Sequence, residues 1–170
     1  MRTKTLELVI LALLGALLFV AQVALASLPN IEIVSLLVYL YAKIYGKKAL
    51  VPVYIFALLE GLLYGFTIWW VTYLYVWAIL VFLSIITKHE SSTFVCAAVT
   101  SLFGLAFGLL CTIPTLIIGG PGAAVAFFIN GLPFDITHFA GNLTAALVLY
   151  YPLYTLMRRL HTMSMAGRAL

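Results

Sequence analysis

Apolar residues dominate this chain in long runs, and the polar positions fall between them rather than alternating with them. Runs of about 20 apolar residues have the length that a helix needs to cross a bilayer. The pattern predicts six such helices. The first covers residues 5–26 and is followed by the short turn "SLPNIE". The second covers 31–45 and ends at "YGKK"; the third covers 49–65, with Pro52 accommodated in its first turn. The fourth covers 69–86 and ends at "TKHESS". The fifth covers 93–118, with Pro114 expected to bend it, and "GGPG" then leads into "AAVAFFINGL". The sixth covers 133–156, with a kink expected near Pro152. The second and third spans are short, which implies little tilt or a locally thinned bilayer.

Composition agrees. The 170 residues are 65% hydrophobic and 8% charged, against about 25% charged in soluble domains. The expected class is all-α: a polytopic membrane protein, a six-transmembrane-helix bundle forming one membrane-embedded domain over 1–170. No soluble domain, long linker or internal repeat stands out.

Charge gives the orientation. The basic residues are Arg2, Lys4, Lys43, Lys47, Lys48, Lys88, Arg158, Arg159 and Arg168. They fall at the N-terminus, after the second span, after the fourth span and at the C-terminus. With six spans all four places share one side, which the positive-inside rule makes cytoplasmic. The net charge of +4 therefore reflects topology rather than nucleic-acid binding. "MRTK", an apolar run and "ALAS" also resemble a signal peptide with an A-x-A site. The long apolar run and Glu7 at its start favour an intact first helix instead.

Some chemistry is missing. There is no G-x-x-x-x-G-K-[ST] for nucleotide phosphates, no H-E-x-x-H, no G-x-S-x-G and no arginine-rich voltage-sensing helix. The chain is read as a non-enzyme; uphill movement of a solute would draw on a partner. Cys96 and Cys111, on one span, are too far apart to bridge and read as small packing residues. No metal site or cofactor is expected.

The polar interest lies in the outward half. Asn30 and Glu32 occupy the first outer turn, Glu60 and Tyr64 share one face of the third span, and Trp69 and Trp70 open an aromatic stretch that continues through Tyr73, Tyr75 and Trp77. In "NGLPFDITHFAGN", Asp135, His138 and Asn142 fall at i, i+3 and i+7, one helical face, with Asn130 just before. Each has a plainer reading: an interfacial aromatic belt for the tryptophans, a helix cap for Asp135, a protonated internal hydrogen bond for Glu60. Together, polar groups converging among aromatics describe a small-molecule pocket. The face of Asp135 and Asn142 is expected to touch ligand, with the sixth helix beginning near Pro133 and its N-terminal dipole facing the pocket. Gly61/Gly65 and Gly104/Gly108 form G-x-x-x-G, and Ala12/Ala16 form A-x-x-x-A in "ALLGA"; such spacing lets helices approach closely.

Six spans in about 170 residues, cytoplasmic ends, "ALLGA" in the first helix and an outward polar-aromatic pocket resemble the S components of energy-coupling-factor (ECF) vitamin transporters, which are ABC transporters of the bacterial cytoplasmic membrane. The resemblance covers the whole chain. It implies a vitamin ligand, a membrane T component docking on Ala12 and Ala16, two partner ATPases, and delivery by toppling of the S component in the lipid bilayer. It leans toward the cobalamin-type members. Riboflavin, thiamine, pyridoxine or a queuosine precursor are alternatives, because Glu32, Glu60 and Asp135 without a nearby cation disfavour strongly anionic ligands. Other classes that stay open are an intramembrane enzyme using Asp135, His138 and Glu60, and a purely structural subunit.

Overall fold

The computed structural model describes residues 2–87 and 92–166. Lys88 and Arg168, two of the residues used to orient the chain, lie outside them, as does most of "TKHESS". Among the described residues the chain is helical, without strands. The helices are α1 (Arg2–Ala24), α2 (Val34–Tyr45), α3 (Leu50–Tyr64), α4 (Ile68–Ile86) and α5 (Thr93–Ala166), with a 3₁₀ turn over Gly46–Ala49 between α2 and α3. Three of them, within α1, α4 and α5, are long and apolar enough to cross a membrane. At 12 and 15 residues, α2 and α3 rise only about 18 and 22 Å.

α5 is not one rod. Gly120 has φ 76° and ψ −179°, a conformation essentially confined to glycine, and it separates a first leg, 93–119, from a second, 121–166. Pro121 then occupies the first position of the second leg, where a missing N–H costs nothing. The legs run antiparallel, because residues on either side of Gly120 meet in mirrored order: Asn142 Nδ2 donates to the Thr100 carbonyl at 3.1 Å, and the Gly108 N–H donates to Asp135 Oδ1 at 2.9 Å.

One expectation about this region needs correction, the start of a helix near Pro133. Pro114 does not interrupt the first leg. It cannot donate to the Leu110 carbonyl one turn back, and the Tyr75 hydroxyl donates to that carbonyl at 2.7 Å instead. Nor does a helix begin near Pro133. Asn130, Gly131 and Pro133 lie inside the second leg, so no helix N-terminus or dipole faces a pocket there.

α2 lies at the centre. Every residue from Val34 to Ala42 is buried, which fits a helix apolar all round. Tyr39 meets Tyr150 of the second leg edge-on at 6.1 Å, and the Tyr41 hydroxyl donates to the Leu14 carbonyl of α1. α1 packs on α3 at Gly15, where a Cβ would come within 2.8 Å of Ile55 and 2.9 Å of the Pro52 carbonyl. Gly15 thus makes the close contact of this helix, while Ala12 is exposed and Ala16 half-buried.

The basic groups gather at one end. Lys48 pairs with Glu7 at 2.5 Å, Lys43 donates to the Thr87 carbonyl, and Tyr45 meets His161 edge-on at 5.0 Å, which brings the Arg158–Arg159 end of the second leg to the same place. The segment joining α1 to α2 lies at the opposite end.

Candidate functional site

At that opposite end is a cavity of about 360 Å³. Its cover is the connecting segment between α1 and α2, with Asn30 and Glu32. Its walls are Gln22 of α1, Glu60 and Tyr64 of α3, Tyr73 and Trp77 of α4, Phe107 of the first leg of α5 and His138 of the second. Four elements and a loop therefore converge on it, as expected for a site between helices.

Glu32 ties the cover to the wall. Its Oε1 lies 3.0 Å from His138 Nε2, and its Oε2 accepts the Ser35 N–H at 2.7 Å. Ser35 is in the first turn of α2, where backbone N–H groups lack helical partners, so the carboxylate also caps that helix. Burial alone would push the Glu32 carboxyl up. The His138 contact and the Ser35 N–H outweigh it and hold the group below its ordinary value.

The rings form a continuous line. Trp69 meets Tyr73 edge-on at 5.2 Å, Tyr73 meets Trp77 at 5.6 Å, Trp77 lies 5.7 Å from Phe107, and Phe107 lies 5.1 Å from the His138 imidazole. Edge-to-face contacts of this kind fix ring orientations as well as burying area. The aromatic side of the cavity wall is thereby a row of mutually packed rings.

The polar wall is different. Among the described residues, Gln22 Oε1, Glu60 Oε1, Trp77 Nε1 and His138 Nδ1 are buried atoms without a hydrogen-bond partner. All four belong to residues lining the cavity. Buried polar atoms are normally paired, so these four leave hydrogen-bonding capacity unmet around one space.

The residues singled out in the sequence divide into two sets. Asn30, Glu32, Glu60, Tyr64 and His138 line the cavity. Trp69, Trp70, Asn130, Asp135 and Asn142 do not. Trp69 backs Tyr73 and Tyr64. Trp70 packs over Gly61, with Nε1 donating to the Ala57 carbonyl at 2.7 Å and its ring 4.9 Å from Phe66. Asn130 is exposed. Asp135, His138 and Asn142 share a buried face, but Asp135 and Asn142 turn to the first leg of α5. A Cβ on Gly104 would meet Asn142 Nδ2 at 2.9 Å, and one on Gly108 would collide with the Asp135 carboxylate. The Gly104/Gly108 pair is the seat into which the second leg presses these two side chains.

Gln22 and Phe107 were not anticipated. Gln22 is the one amide in the first span and the one polar side chain after Glu7 there, a signal of the same kind as the buried acids. Phe107 carries no such mark. Among the described residues no three His, Cys, Asp or Glu side chains cluster to hold a metal ion. Comparisons with protein-family models, curated proteins and solved structures give no match.

Proposed function

We propose that the chain is the substrate-binding S component of an ECF-type transporter, a six-span bundle of the bacterial cytoplasmic membrane that captures a micronutrient from outside. The observation that carries this reading is the cavity: mutually packed aromatics on one side, unpartnered buried polar atoms on the other, at the end of the bundle away from the basic groups. Placing the basic end in the cytoplasm opens the cavity outward. In this reading α2 and α3 reach across by virtue of a locally thin bilayer, and the two legs of α5 supply the fifth and sixth spans.

A volume of about 360 Å³ suits a ligand at the small end of the drug-like range. A corrinoid is far larger, so the reading favours the smaller micronutrients among the alternatives over cobalamin. The intramembrane-enzyme reading has less support, because Asp135 is engaged by the Gly108 N–H and lies outside the cavity lining. Docking on a T component with two ATPases supplies the energy that this chain has no motif to harvest.

Ala12 provides the test. It is exposed on α1 while Gly15 does the internal packing. Ala12→Trp is expected to abolish copurification of the membrane and ATPase partners while leaving thermal stability nearly unchanged. Retention of the partners, or absence of any from the unmutated protein, would count against the reading.

A further inference from the structure

Glu60 has no counter-charge among the described residues lining the cavity. It is 3% exposed, its Oε1 has no hydrogen-bond partner among the described residues, and it lines the cavity. The other acid there, Glu32, is already engaged by His138 and Ser35. Among the described residues no Lys or Arg lines the space; Lys43 and Lys48 find their partners at the far end of the bundle. A carboxylate buried within a membrane helix is costly unless a positive charge or a proton meets it.

The groups around it narrow what can meet it. Gln22 Oε1 is a second unpartnered acceptor, and Trp77 Nε1 is an unpartnered donor. Tyr64, Tyr73, Trp77 and Phe107 line the same cavity. Aromatic rings attract cations through their negative faces, most strongly where water is excluded. An anion would face Glu60 without compensation, and a neutral ligand would require the acid to take up a proton, whereas a cation meets it as it stands.

Resting on the reading of this cavity as a capture site, we propose that it takes a compact organic cation, a protonated amine or a quaternary or cationic heteroaromatic nitrogen, with Glu60 as its counter-charge. Gln22 accepts a hydrogen bond from the ligand, and Trp77 donates one to an acceptor elsewhere on it. Pairing also makes transport sense: acid and cation together cross the bilayer at a lower desolvation cost than either alone.

The experiment uses matched probes that differ in charge. Purified protein in nanodiscs is titrated with 1-methylnicotinamide against nicotinamide, and with choline against 3,3-dimethylbutan-1-ol, following tryptophan emission because Trp77 lines the cavity. The cationic member of at least one pair is expected to bind about tenfold or more tightly than its neutral partner. Glu60→Gln should erase that advantage, weakening the cationic probe far more than the neutral one. Equal binding of cation and neutral probe, or a charge preference that survives in Glu60→Gln, would overturn the proposal and leave the capture reading standing. Saturable binding of none of the four would overturn both. Should Glu60→Gln fail to fold, the comparison of probes on the unmutated protein decides by itself.

Discussion

Gly108 shows how much one missing methyl group determines. Its N–H holds Asp135, and a Cβ there would collide with that carboxylate. Gly108→Ala should therefore destabilise the protein by about 1–3 kcal/mol through overpacking, whereas Gly122→Ala, with open space around it, should change little; thermal melting of the pair checks this. Asn142→Ala removes the bond to Thr100 and should cost about 1 kcal/mol, with a smaller effect on ligand affinity than Glu60→Gln. Glu32 carries a pH signature. Its carboxyl is depressed in the folded protein, so its stabilising contribution is fully present above the unfolded value of about 4.3. It fades as pH falls through the lower folded value. Glu32→Gln should thus lower the melting temperature at neutral pH, and the gap to the unmutated protein should close only on strong acidification. The shared face of Asp135, His138 and Asn142 was legible from spacing alone. Their separate roles were not. The partners of Asp135 and Asn142 lie across a hairpin, and Glu32, which holds His138, is 106 residues distant in sequence.

Among the elements, α5 departs most from the sequence pattern. Hydropathy places α1 to α4 within a few residues of where they form, since a lipid-spanning run has sharp apolar limits. The second leg instead starts far ahead of Pro133. Asn130, Gly131 and Pro133 carry turn chemistry, but the reversal is made once, at Gly120, and proline within a helix removes only one N–H. At Pro114 the freed carbonyl is taken by Tyr75, a compensation from another helix that no local pattern reveals. Gly120→Ala, forcing a side chain into φ 76°, should cost about 1–3 kcal/mol. Tyr75→Phe leaves the Leu110 carbonyl without that donor and should cost about 1–3 kcal/mol. Both are read by thermal unfolding in detergent, and the two costs should add if the sites are independent.

At the scale of the whole molecule, basic groups gather at one end of the bundle and the cavity lies at the other. Cysteines placed in "TKHESS" should resist an impermeant thiol reagent in intact cells, and labelling from outside would reverse the orientation. The gathering of polar and aromatic residues in the half away from the basic groups was readable because acids are rare in membrane helices. Which of them meet was not, since that depends on how the legs of α5 close against α4. Capture of a small organic molecule by this cavity is open to mass spectrometry of material released from the purified, unmutated protein. One compact molecule bearing a positive charge is expected, recovered in near-stoichiometric amount and lost from Glu60→Gln. Recovery of lipid alone, or of the same molecule in equal amount from Glu60→Gln, would contradict it.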